Sequence, residues 1–146
     1  MRSRWLLVLS VGLMSGADDG RLVSSDAVKL HGTWTVVELQ AGCVFHVKFP
    51  HKDFPEWEVV CRGDLVELRA RFANQPEVRL VYSYRLDPTQ RPKAIDLINL
   101  SGVHPGVYEL DGNRLRVTYN WPGMDRPQNL DDENTMTRIV LQRKKP

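Results

Sequence analysis

The chain has 146 residues, 20 Lys plus Arg against 18 Asp plus Glu, a formal charge of +2 and 42% hydrophobic residues. That length suits one globular domain. Near-balanced charge supplies no field for holding nucleic acid or an anionic membrane surface. The local charge clusters, Asp131 to Glu133 and Arg143 to Lys145, read as solvated segments rather than binding patches.

Residues 1–17 hold Arg2 and Arg4, an uncharged apolar run from Trp5 to Met14, and small residues from Ser15 to Ala17. That order predicts a secretory signal peptide. The apolar run is too short to cross the roughly 30 Å bilayer core as a helix, so no membrane span is expected. Export to the periplasm, the cell surface or the medium follows. Without Arg2 and Arg4 the chain would carry 18 basic and 18 acidic residues. Residues 18–29 are polar and predicted loose, with Ser25 or Asp26 capping one short helical turn that ends at Gly32.

Beyond the turn, over residues 30–146, the hydrophobic period is two rather than 3.6. Thr33 to Leu39 is a β-branched run. Trp57 to Phe72 reads as two strands around Arg62-Gly63-Asp64. In Val78 to Leu86 the residues Val78, Leu80, Tyr82, Tyr84 and Leu86 share one face, with Arg79, Ser83 and Arg85 on the other. Asp87 to Lys93 is a turn with two prolines, and Ala94 to Leu100 is the next strand. Gly106 to Leu110 and Arg114 to Asn120 flank Asp111-Gly112, a strong hairpin signal. Met136 to Lys144 closes the series, while Ala41 to Arg62 is expected to hold an irregular loop. Short strands joined by short turns predict an all-β antiparallel up-and-down barrel of about eight strands, preceded by the helical turn.

The segments "LHGTWTVVELQAG", "YRLDPTQRPKAIDLINL", "GVYELDGNRLRVTYNWPGMDRPQNL" and "IVLQRKK" resemble the uncharacterised lipocalin-like domain family abundant in planctomycete bacteria. The most specific piece is "LDPTQRPKAIDL". The resemblance covers about residues 30–144 and implies a small exported lipocalin-like barrel with no established activity. It also implies structural roles for Gly32, Trp34 and Arg143. Gly32 lets the preceding turn approach closely, and Trp34 packs across the closed end of the barrel. A basic side chain of the last strand covers the indole, Arg143 on the family pattern or else Arg138. The region from Ala41 to Arg62, with both cysteines and two histidines, departs from the family.

Cys43 and Cys61 are consistent with one disulfide closing a loop of about 19 residues, or with two separate thiols; geometry decides between them. Cys43, His46, His51 and Cys61 are chemically suited to zinc or copper, but their spacing matches no established metal motif, so no metal or cofactor is assigned. Asp87 and Asp111 have turn roles. Asp96 must pair with an arginine if it faces inward, and otherwise braces the Arg91-Pro92-Lys93 turn or a neighbouring strand. The chain has no nucleophile elbow, phosphate loop or zincin motif, and no catalytic residue is assigned.

The candidate site is therefore the barrel interior, where Tyr82, Tyr84, Tyr108 and Tyr119 would make an amphipathic lining. Two functions remain open. One is an exported binding protein, not an enzyme, that holds a small apolar or amphipathic molecule. The other is a cell-surface protein-interaction or inhibitor module using loop 41–62, whose Phe54 and Trp57 are expected to be exposed. A connected interior cavity of about 300 Å³ or more would favour the ligand and a filled interior would exclude it.

Overall fold

The structure is a computed structural model in which residues 25–42 and 45–145 are described. The leader, most of the loose segment and Cys43 lie outside the described residues. One helix, α1 (Ser25–Leu30), precedes nine strands. These are β1 (Gly32–Ala41), β2 (Phe45–Lys48), β3 (Glu58–Arg62), β4 (Leu65–Ala70), β5 (Val78–Asp87), β6 (Ala94–Asn99), β7 (Gly102–Asp111), β8 (Arg114–Tyr119) and β9 (Thr137–Arg143). Every pairing is antiparallel, each strand from β3 to β9 pairs with the next, and β1 bonds both β3 and β9. The result is a closed eight-stranded up-and-down barrel with β2 as an extra strand. Closure leaves no long open edge for another chain to extend.

The alternation read from sequence sets the inward faces. Tyr82 and Tyr84, Ile95 and Leu97, Leu115 and Val117, and Ile139 and Leu141 all join one core cluster. In β1 the phase slips. Trp34 and Val36 are buried, then Leu39, because the register against β9 shifts between Val36 and Glu38. One extra residue there flips the parity, as a β-bulge does.

The bulge coincides with the largest departure from the sequence expectation. The region 41–62 is not an irregular loop but one strand position, interrupted. β2 pairs Lys48 with Glu38, and β3 pairs Glu58 with Thr35, on the same edge of β1. Phe49 N donates to Val37 O and Val36 N donates to Trp57 O, each at 2.9 Å. Residues 50–56 therefore leave the wall and return at the same place. Phe49, Phe54 and Trp57 turn inward with Phe72, Phe54 meeting Trp57 at 5.8 Å and Trp57 meeting Phe72 at 5.3 Å between ring centroids. Trp57 is only 7% exposed, and its Nε1 donates to Arg71 O at 2.7 Å. The expected exposed Phe54/Trp57 patch does not exist. Packing these aromatics on one another and on the core removes apolar area from water that an exposed loop would leave wet.

Of the two readings left open for the cysteines, no disulfide is seen among the described residues: Cys61 is a free, buried thiol, and Cys43 lies outside them. Cys61 pairs with Gly32 at one end of β1, whereas Ala41, two residues before Cys43, lies at the other end. Nine residues of strand separate those ends by roughly 25–30 Å, against the ~7 Å limit between bonded cysteine Cα atoms.

Candidate ligand site in the barrel interior

One end of the barrel is closed by a built plug. Trp34 is 0% exposed and its Nε1 donates to Leu30 O at 2.9 Å. The Arg143 guanidinium carbon sits 4.3 Å from the centroid of its ring. Arg143 also donates to His31 O at 3.1 Å and to Lys29 O. It thus satisfies carbonyls at the end of α1 that have no helical partner. Gly32 is required at this corner. Its φ is +125°, and a Cβ there would lie 3.4 Å from the Arg143 guanidinium. Arg138, the alternative partner for Trp34, instead donates to Asp131 O and Asp132 O.

A second tie fastens α1 over the same end. Asp26, which the sequence offered as a helix cap, accepts hydrogen bonds from Lys93 Nζ at 2.8 Å and Tyr108 OH at 2.7 Å. Burial works against its charge, but these two donors outweigh burial and hold the carboxyl below its ordinary value of 3.8. Burial first, then the Asp26 carboxylate, pushes the Tyr108 hydroxyl well above the usual tyrosine range.

The barrel interior holds a cavity of about 70 Å³. Its wall includes all four tyrosines expected inward, Tyr82, Tyr84, Tyr108 and Tyr119, among Val, Leu and Ile side chains and the Cys61 thiol. The volume is far below the ~300 Å³ of an ordinary drug-sized pocket. At ~10–15 Å³ for each water-sized sphere it has room for about five non-hydrogen atoms. Three tyrosines have partners elsewhere, Tyr108 with Asp26, Tyr84 with Gly63 O at 2.8 Å and Tyr119 with Thr137. Tyr82 and Tyr119 mark the other end of the cavity. Burial pushes the Tyr119 hydroxyl up to about 12 and raises that of Tyr82, so both stay protonated. Desolvation in the same cavity pushes the Cys61 thiol up to about 11.

The residue that the sequence reading missed is His104. It is 8% exposed and pairs in register with the cavity-lining Leu97. Its ring lies edge-on to Tyr82 at 5.8 Å and to Tyr119 at 6.2 Å between centroids. Its Nε2 is 3.2 Å from Asn99 Oδ1, but its buried Nδ1 has no hydrogen-bond partner among the described residues. The signal available was the period-two series His104, Gly106, Tyr108 and Leu110, masked by Pro105 within it. Gly106 is needed in that series. A Cβ there would lie 2.9 Å from both Thr118 O and Tyr119 Cβ, so glycine alone lets Tyr119 turn inward beside β7. Beyond His104 the rim is apolar and wet: Leu80, on the same face of β5 as Tyr82, is 44% exposed.

The remaining sequence candidates do not converge. His46 pairs with Glu38 on the surface, and His51 stacks on Phe54. No group of three or more potential metal ligands occurs among the described residues. Asp96 faces outward and binds Arg126 at 2.7 Å and Arg85 at 3.6 Å, while Arg126 also donates to Ile95 O and Gly106 O. It braces neighbouring strands rather than the Arg91 turn.

No protein-family model, curated protein or solved structure matches the chain.

Proposed function

We propose that this chain is an exported, lipocalin-like binding protein that holds a small apolar or amphipathic molecule in its barrel interior, and that it acts by binding rather than catalysis. The observation that supports this reading is an apolar interior cavity of about 70 Å³ with tyrosines in its wall; the interior is not filled, but the space is far below ~300 Å³ and limits any ligand to about five non-hydrogen atoms. A barrel selected for stability alone gains by filling such a space, since empty apolar volume costs about 24 cal/mol per Å³ in core-truncation series. The leader-like first residues and the resemblance to the planctomycete lipocalin-like family support the exported setting. The protein-interaction alternative loses its main support, because Phe54 and Trp57 pack against the core, although Phe45 stays exposed.

The test is solvent extraction of the protein isolated natively from its own source, followed by mass spectrometry. The wild-type chain should yield one small molecule at about one per chain. Val117→Phe, which places a ring in the cavity, should yield none. No molecule from the wild type, or equal yields from both, would overturn the reading.

A further inference from the structure

Four tyrosines line the cavity, yet three of their hydroxyls are engaged with groups outside the lining. Tyr108 OH donates to Asp26 at 2.7 Å, and Tyr84 OH donates to Gly63 O at 2.8 Å in the turn between β3 and β4. Tyr119 hydrogen-bonds the Thr137 side chain. What these three residues offer the interior is therefore ring carbon. The remaining hydroxyl belongs to Tyr82. That residue is half-buried and follows four exposed residues, Val78 to Val81, at the wet end of β5, where water is at hand to satisfy it.

Nothing else in the wall replaces them. The lining holds no charged, amide or imidazole side chain. Cys61 adds only a thiol, a weak donor and weak acceptor, kept uncharged at neutral pH by the burial that pushes it up to about 11. Backbone amides and carbonyls of the lining strands point along the sheet at neighbouring strands, not into the lumen. The two buried side-chain atoms left unpaired among the described residues, Glu77 Oε1 and His104 Nδ1, belong to residues outside this lining. A water held inside a protein needs two to four polar partners, and an apolar cavity without them stays dry. A ligand hydroxyl or ether oxygen meets the same lack, so it leaves bulk water without compensation.

We infer that the molecule held in this barrel is a hydrocarbon of about five carbons or fewer, with no hydrogen-bonding group. This rests on the proposal that the interior binds a ligand, and it narrows the class from apolar or amphipathic to apolar alone. The tyrosines then act as aromatic walls rather than as hydrogen-bonding groups. Selection comes from two sources, the fit of a compact body to the space and the dispersion contacts of rings and aliphatic side chains around it.

Cyclopentane and tetrahydrofuran separate the two chemistries. Each is a ring of five non-hydrogen atoms, about what the cavity holds, and they differ by one methylene replaced with an ether oxygen. Both are titrated into the full chain, and dissociation constants are read from NMR shifts of the cavity-lining residues. Losing one buried methylene and burying an unpaired acceptor together predict that the wild type binds cyclopentane about a hundredfold more tightly. Tyr82→Phe should leave that ratio within about threefold, and Val117→Phe, which places a ring in the cavity, should bind neither. A wild-type ratio below about tenfold would overturn the inference and leave interior binding standing. A ratio that widens about tenfold in Tyr82→Phe would do the same, because it would show that hydroxyl holding a polar group. Absence of both rings from the interior, or binding that survives in Val117→Phe, would overturn both proposals. If Val117→Phe fails to fold, the residues whose shifts move in the wild type locate the bound ring.

Discussion

The plug at the Trp34 end makes a quantitative prediction about coupling. Trp34→Ala removes a fully buried indole and its bond to Leu30 O, so it should cost about 3–5 kcal/mol. Arg143→Ala removes two charge-assisted bonds to the carbonyls of Lys29 and His31 together with the contact on the indole. Because the guanidinium is half-exposed, its bonds are worth less than buried ones, and about 2 kcal/mol is expected. The two losses overlap. Once Trp34 is gone, Arg143 has no ring to stack on and the α1 carbonyls it holds are themselves loosened. A double-mutant cycle should therefore show a coupling of about 1–2 kcal/mol, the range of a partly desolvated cation–π contact plus the shared anchor. Urea unfolding of the wild type, both single variants and the double variant gives the four free energies. Arg143→Lys sharpens the comparison, since a point charge keeps the cation but cannot hold two carbonyls in a planar fork. Additivity to within about 0.4 kcal/mol would refute the plug as a unit.

Two further outcomes follow from the interior. Asp26 is held below its ordinary value of 3.8, so its contribution to stability is fully present above that value and fades as pH falls below it. Asp26→Asn should therefore destabilise by about 1–2 kcal/mol at pH 7, and the gap should narrow below about pH 4; a gap unchanged from pH 7 to pH 3 in urea titrations would refute the ion-paired tie. Cys61, with its thiol pushed up to about 11, is a thiolate in only about one molecule in ten thousand at pH 7. It should resist alkylation in the native protein and react completely on denaturation without reductant. Peptide mapping that finds Cys61 unmodified after denaturation would point to a bond that this geometry does not contain.

Most of the barrel was legible because its strands obey two constraints at once, one face buried and one wet. Tyr82 to Leu86 shows both, as do Arg114 to Val117, whereas Val78 and Leu80, expected on the inward face, are exposed. Tyr82, Tyr84, Tyr108 and Tyr119 could be placed inward from parity alone. The failures share a cause, which is that a local signal was overruled by pairing at a distance. Phe45 to Lys48 is too short to announce a strand, and the prolines at 50 and 55 separate it from its continuation. Only β1, bonded to both halves, makes them one position. At His104 the obstacle was Pro105, which argues against an inner strand. The register removes the objection. Pro105 O accepts from Asn120 N, just past the end of β8 at Tyr119. Carbonyl and amide of one strand residue point the same way, so the donor that proline lacks would have pointed beyond the ladder.

The two partial seals differ in what it costs to pass them, and that difference bears on ligand size. The Trp34 end is held by α1, by Arg143 and by the Asp26 tie, so opening it means dismantling the plug. The excursion is attached more lightly, through the His51–Phe54 bridge and the bond from Ala73 N to Asp53 O, but its aromatics are an obstacle of their own. Lifting Phe49 and Phe54 alone, each exposing about half of a ~200 Å² ring surface, returns roughly 200 Å² to water at about 25 cal/mol per Å². That is about 5 kcal/mol, an open fraction near one in several thousand. A ligand needing the larger space would have its apparent affinity lowered by the same factor. A molecule of about five non-hydrogen atoms avoids that cost if it enters where the lumen-facing Leu80 already meets solvent. Tyr82 and Tyr84, both in the cavity wall, follow Leu80 on the same face of β5, so the cheapest way in runs along that strand.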